Sequence, residues 1–146
     1  MTLGPGTSVF VTGATGLVGR VLCDALRGAG ARVVALSRSE HASEPGLRFV
    51  VGDARVAGEW QGEVARADAV VHLAGEPIAG QRWTEAFKRE LRASRIEGTR
   101  RIVEAMGAGE VAPSVLVCAS AAGFYGPRGE EVLDESSPPG DDFLAG

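Results

Sequence analysis

Few residues in this chain could build a disulfide framework, a metal centre or a membrane span. The 146 residues include 2 Cys and 2 His, and the lone tyrosine and lone lysine are Tyr125 and Lys88. Cys23 and Cys118 lie far apart without metal-ligand spacing. They are expected as reduced thiols of a cytoplasmic protein, packed as small apolar side chains, and no metal site is expected. No apolar run approaches the roughly 20 residues that a membrane helix requires, so no membrane partner is expected. Basic charge is also short, with 15 Lys+Arg against 19 Asp+Glu and a formal net charge of −4. That balance argues against a nucleic-acid partner, which needs a basic face. Met1 to Ser8 is too short and too weakly charged for a signal peptide.

What the chain has in excess is glycine, 21 residues of it. The glycines follow no fixed period and stand instead at the ends of apolar runs, as tight turns between alternating strands and helices require. With 45% hydrophobic and 23% charged residues, the composition is that of one ordinary globular domain.

The apolar runs alternate in kind. Val9 to Thr12 reads as a buried strand. Gly16 to Arg27 follows as a helix with Leu17, Val18, Val21, Leu22, Ala25 and Leu26 as one apolar stripe, ended by Gly28 and Gly30. Arg32–Leu36 and Leu47–Val51 read as the second and third strands, and residues 57 to 67 as a short, weak helix. Ala69–Leu73 is a fourth strand, apolar enough for burial on both faces. A long helix runs from an N-cap at Thr84 towards Met106, with Gly98 weakening its middle. Ser114–Ala119 is a fifth strand, and the chain from Gly123 onward reads mostly as loop. Such alternation predicts a doubly wound α/β fold with a parallel sheet between helical layers.

The chemistry lies in the turn between the first strand and the first helix, Thr12-Gly13-Ala14-Thr15-Gly16-Leu17-Val18-Gly19. Gly13 would permit the tight turn, Gly16 the close approach of a pyrophosphate, and Gly19 the packing of helix on strand. Free N–H groups and the positive dipole end of the helix then face the phosphates. The end of the second strand selects the dinucleotide. An acid that would hold a ribose 2′-OH is expected roughly 20 residues past the glycines. Ser37 and Arg38 stand there instead. A guanidinium attracts a 2′-phosphate and a serine hydroxyl can bond it, so NADP(H) is favoured over NAD(H); the alternative is a solvated surface arginine. Asp53, ending the third strand, reads either as an acceptor for an adenine amino group or as a turn former. His72-Leu73-Ala74-Gly75 closes the fourth strand with small residues over which a cofactor can lie. His72 itself reads chiefly as a satisfied strand-end histidine, and His41, in a polar loop, is given no role.

With these residues the sequence resembles the short-chain dehydrogenase/reductase superfamily. More narrowly, it resembles the atypical extended branch of NAD-dependent epimerase/dehydratase-like, or sugar-nucleotide-epimerase-like, proteins. The glycine turn alone matches only the superfamily. The narrower match rests on Ser37-Arg38, His72 to Ile78, Arg82-Trp83-Thr84, Ser94 to Thr99, Ser120 to Gly126 and Glu135 to Phe143. The resemblance implies an NADP(H)-binding Rossmann domain over residues 1–146, with Arg89 and Ser94 reaching the cofactor from the long helix. It also implies that Ser120 occupies the place of the hydroxyl that orients a substrate carbonyl. Tyr125 matches a Tyr-Gly that helps line the substrate site.

The superfamily's usual acid–base pair is Tyr-x-x-x-Lys, whose ammonium lowers the phenol pKa. Here Gly129 stands four residues after Tyr125, so that pair is missing and Tyr125 is the single phenol available as a proton donor. Relatives carry a second half that supplies further strands and most of the substrate pocket. The substrate domain is therefore expected to lie outside this chain, leaving the fold incomplete at its C-terminal edge. A fifth strand without a sixth neighbour would expose an apolar edge. Two functions follow as expectations. One is an NADP(H)-dependent oxidoreductase or epimerase-like enzyme acting on a small-molecule substrate. The other is a dinucleotide-binding sensor or scaffold without turnover. Extended members of the superfamily pair through the helices after the fourth strand, so a homodimer through residues 84–106 is a further expectation.

Overall fold

Valine-rich runs set the order of the strands. A computed structural model describes residues 3–146; Met1 and Thr2, which open the segment weighed above as a leader, lie outside the described residues. In chain order the elements are β1 (Ser8–Thr12), α1 (Leu17–Gly28), β2 (Arg32–Ser37), β3 (Leu47–Val51), α2 (Gln61–Ala65), β4 (Ala69–His72), α3 (Glu85–Met106) and β5 (Val115–Cys118). A 3-10 turn over Ala122–Tyr125 follows. All five strands are parallel, in the order β3-β2-β1-β4-β5. The expected doubly wound sheet is present, and its order reverses between β1 and β4, where such sheets open a crevice.

Alternate residues of each strand feed two cores. Val9, Val11, Val33 and Ala35 pack with Cys23 and Leu26 of α1. On the opposite face Phe10, Leu36 and Val70 pack with Trp60, Val64 of α2, and Ile102 and Ala105 of α3.

Helix α1 departs from the single stripe expected of it. Its buried residues are Gly19, Cys23 and Leu26, while Leu17, Val18 and Val21 are 90%, 65% and 69% exposed. The reason lies in the turn. A Cβ on Gly19 would stand 2.1 Å from the Gly13 carbonyl oxygen, so only glycine can face the sheet there. That contact fixes the rotation of the helix, which leaves Leu17, Val18 and Val21 outside while Leu22, Cys23 and Leu26 face the core. The helix ends as expected at Gly28 and Gly30: past its last residue, Gly28, Gly30 adopts φ +85° and its N–H donates to the Arg27 carbonyl while Ala31 N–H reaches Leu26.

The expected helix over residues 57 to 67 shrinks to the five residues of α2. Helix α3 begins at the expected cap, where Thr84 Oγ1 accepts from Phe87 N–H at 3.2 Å. It runs unbroken through Gly98, which is buried. A Cβ there would come within 3.3 Å of His72 Nε2, so this glycine serves a close packing rather than a break. Strand β5 forms the edge of the sheet. Val115 and Val117 pair in register with Ala69 and Val71 and are 39% and 50% exposed on the α1 side. Cys23 is buried as expected, whereas Cys118 on this edge is exposed, because no element covers it. Among the described residues no helix is long and apolar enough to cross a membrane, and no His/Cys/Asp/Glu cluster could hold a metal.

Candidate functional site

The glycine turn is built against the neighbouring strand end. Gly13 has φ +71°, and a Cβ on it would lie 2.8 Å from the Leu73 carbonyl carbon. Gly16 N–H donates to the Gly13 carbonyl at 3.0 Å, and Arg20 Nε donates to the Thr15 carbonyl at 2.8 Å, which closes the turn. Gly16 is the N-cap of α1 and supplies no side chain to cap it. The first N–H groups of the helix therefore find no intrahelical partner, at the positive end of its dipole.

Beside the turn is a crevice of about 510 Å³ at the carboxyl ends of β1 to β4. Its walls bring together ten of the expected residues: Gly13, Thr15, Gly16, Ser37, Arg38, Asp53, Leu73, Ala74, Gly75 and Ser94. They also include Thr12, Ser39, His41, Arg55 and Glu76, which sequence reasoning did not assign to the site. Arg38 is exposed and makes no hydrogen bond or ion pair among the described residues. Ser37 Oγ accepts from Ser39 N–H at 3.2 Å and lies 3.0 Å from His41 Nε2.

Asp53 is fully engaged. Its carboxylate accepts from the Arg55 backbone N–H at 2.9 Å and from Arg55 Nη2 at 2.8 Å. The Arg55 guanidinium holds the Asp53 carboxyl below the usual carboxylate range, chiefly through these side-chain hydrogen bonds. Arg55 also pairs with Glu90 of α3, so the loop after β3 is tied to that helix. Ser94 ties the loop after β4 to it: Ser94 Oγ accepts from Glu76 N–H at 3.0 Å and donates to the Leu91 carbonyl at 2.8 Å. Arg95 donates to the Glu76 carbonyl at 3.2 Å, which adds a second tie.

The remaining expected residues stand off the crevice wall. Leu17 and Val18 are exposed on α1 beyond the turn, and Gly19 is packed beneath it. His72 is buried under the floor, where its Nδ1 lies 2.6 Å from Thr12 Oγ1. Arg89 is on the exposed side of α3. Ser120 is exposed just past β5, where Ala119 N–H donates to the His72 carbonyl at 3.0 Å. Tyr125 is half-buried in the 3-10 turn, edge-on to Phe124 at 5.2 Å.

Glycines where a side chain would collide, unpaired N–H groups and a free guanidinium one strand away fit a dinucleotide: the turn for its diphosphate, the strand end for its adenosine ribose. The class that this fold and crevice define is a Rossmann nucleotide-binding domain. The chain belongs to the NAD dependent epimerase/dehydratase family, whose model matches residues 9–142. It is 40% identical over 143 residues to the epimerase family protein SDR39U1 homolog, chloroplastic, of Arabidopsis thaliana. That match covers 94% of this chain and 41% of the relative. The crystal structure of the human epimerase family protein SDR39U1 (isoform 2) with NADPH superposes with a TM-score of 0.75 at 31% identity. It covers 95% of this chain and 45% of that one. A short-chain dehydrogenase/reductase superfamily protein from Agrobacterium tumefaciens with bound NAD gives 0.73 at 29% identity, over 94% and 40%. The chain thus spans less than half the length of these relatives.

Proposed function

We propose that this chain is the cofactor-binding part of an NADP(H)-dependent oxidoreductase or epimerase-like enzyme acting on a small-molecule substrate. The observation that carries the reading is the unpaired Arg38 beside Ser37 on the crevice wall, with no acid at that strand end. A neighbour of the same family holding NADPH supports it; one holding NAD supports the broader class of nicotinamide dinucleotide.

In this reading the N-terminal N–H groups of α1 hold the diphosphate, and Ser37 and Arg38 hold the 2′-phosphate. Leu73 to Gly75 give the cofactor a flat surface, made rigid by Ser94 and Arg95. A bound nicotinamide supplies hydride transfer to or from carbon. Ser120 and Tyr125 stand past the end of β5, on the substrate side. There the serine hydroxyl orients a carbonyl by hydrogen bonding, and the phenol is the group available to exchange a proton with it. A homodimer through α3 is part of the proposal, supported by exposed Ile96 and Val103 on one helix face. The proposed location is the cytoplasm.

A second reading is a dinucleotide sensor without turnover. It is favoured by the missing Tyr-x-x-x-Lys and by a crevice lining that includes neither Ser120 nor Tyr125. Turnover separates the two. Offered a panel of carbonyl substrates, the enzyme oxidises NADPH, with loss of absorbance at a rate that Ser120→Ala lowers at least about tenfold. NADPH binding without consumption across the panel decides for the sensor.

A further inference from the structure

The loop after β2 carries a histidine that the function described so far does not use. His41 lines the crevice together with Ser37, Arg38 and Ser39. Its ring packs against Phe49 of β3, with centroids 4.8 Å apart, and this contact sets its Nε2 at 3.0 Å from Ser37 Oγ. Ser39 N–H approaches the same oxygen at 3.2 Å.

A serine hydroxyl has one proton and two lone pairs. Here the Ser39 N–H takes one lone pair. In the tautomer that carries its proton on Nε2, His41 takes the other, and the serine proton then has no partner within the protein. It is left to point at whatever occupies the crevice beside Arg38. A 2′-phosphate presents only acceptor oxygens, so it requires that proton. A ribose 2′-OH both donates and accepts, so it bonds Ser37 in either orientation. The geometry points to His41 as a positioning residue that makes Ser37 a donor and so selects a phosphorylated over an unphosphorylated dinucleotide. This rests on the NADP(H) reading of Ser37 and Arg38.

The test measures NADPH and NADH dissociation constants by calorimetry on the purified protein and three variants. His41→Phe keeps the ring against Phe49 and removes the N–H. It is expected to weaken NADPH about three- to tenfold with NADH unchanged. His41→Gln, which restores an N–H at reach, is expected to return most of that loss. Arg38→Ala is expected to collapse the NADPH preference. If Arg38→Ala does so while His41→Phe leaves the NADPH:NADH ratio at its original value, or weakens both cofactors equally, the role of His41 is overturned and the 2′-phosphate site stands. If Arg38→Ala leaves the ratio unchanged, that site is overturned, and the role of His41 with it.

Discussion

Thr12 and His72 face each other across paired strands, and the Thr12 hydroxyl serves two masters at once. Its Oγ1 lies 2.6 Å from His72 Nδ1 and accepts from Ala74 N–H at 3.1 Å. The pair locks the carboxyl ends of β1 and β4 together at the point where the glycine turn departs. Both side chains are buried, and Gly98 of α3 closes against the far side of the imidazole. The crevice floor is therefore a fixed polar joint rather than a flexible loop end.

Burial pushes the His72 imidazole below its ordinary value of 6.5. Below that pH the unfolded chain takes a proton on this ring that the folded chain refuses. Protons then favour unfolding: stability is complete above about pH 6.5 and falls as the pH drops from there. Denaturant midpoints measured from pH 8 down to pH 5.5 are expected to show this fall. His72→Gln is expected to lower stability overall and to flatten the slope in that window, because position 72 then carries no group whose protonation differs between the folded and unfolded chain.

Gly19 is a second fixed point. Adding one methyl group by Gly19→Ala forces the start of α1 off Gly13 and Ala14, at about 1–3 kcal/mol of stability, since its Cβ would stand 2.1 Å from the Gly13 oxygen. The contrast is Gly28→Ala at the end of the same helix. A Cβ there meets nothing within 4 Å, so that change is expected to stabilise by about 0.5 kcal/mol. Urea melts of the two variants check the pair of signs.

The sheet was legible in the sequence because buried parallel strands read as runs of valine and the glycine spacing leaves few alternative turns. Thr84, as a cap, marked the start of α3 to the residue. The rotation of α1 was not legible. Leu17, Val18 and Val21 look like core, and only the clash at Gly19 shows that they point outward. Sequence reasoning gives His41 no role and passes over Arg55 for another reason. Each is a polar loop residue, and only the folded loops bring one against Ser37 and the other between Asp53 and Glu90. Asp53 reads in sequence as an adenine contact or a turn former; it stands in the crevice lining, and the Arg55 guanidinium that holds it there is visible only in the fold. Arg89, Ser120 and Tyr125 were placed by resemblance, which matches positions along a chain and carries no distances.

The exposed apolar side chains of α1 and β5 have a consequence in solution. Val115 and Val117 lie on the edge strand β5, and Leu17, Val18 and Val21 are exposed on α1, which packs on the same side of the sheet. Such an edge promotes association. Made as these 146 residues, the protein is expected to self-associate with rising concentration in light scattering. The double variant Val21→Lys, Val117→Lys is expected to shift that onset to a concentration several-fold higher. Unchanged scattering would place the contact elsewhere.

The most direct trial of the whole account is a pair of calorimetric titrations, NADPH against NADH, on the unaltered protein and on Arg38→Ala. One guanidinium–phosphate contact corresponds to about ten- to a hundredfold in affinity. NADPH is expected to bind tighter by about that factor, with most of the advantage lost in the variant and NADH binding unmoved. Equal affinity for the two dinucleotides, or an NADPH advantage that survives loss of the arginine, would contradict it.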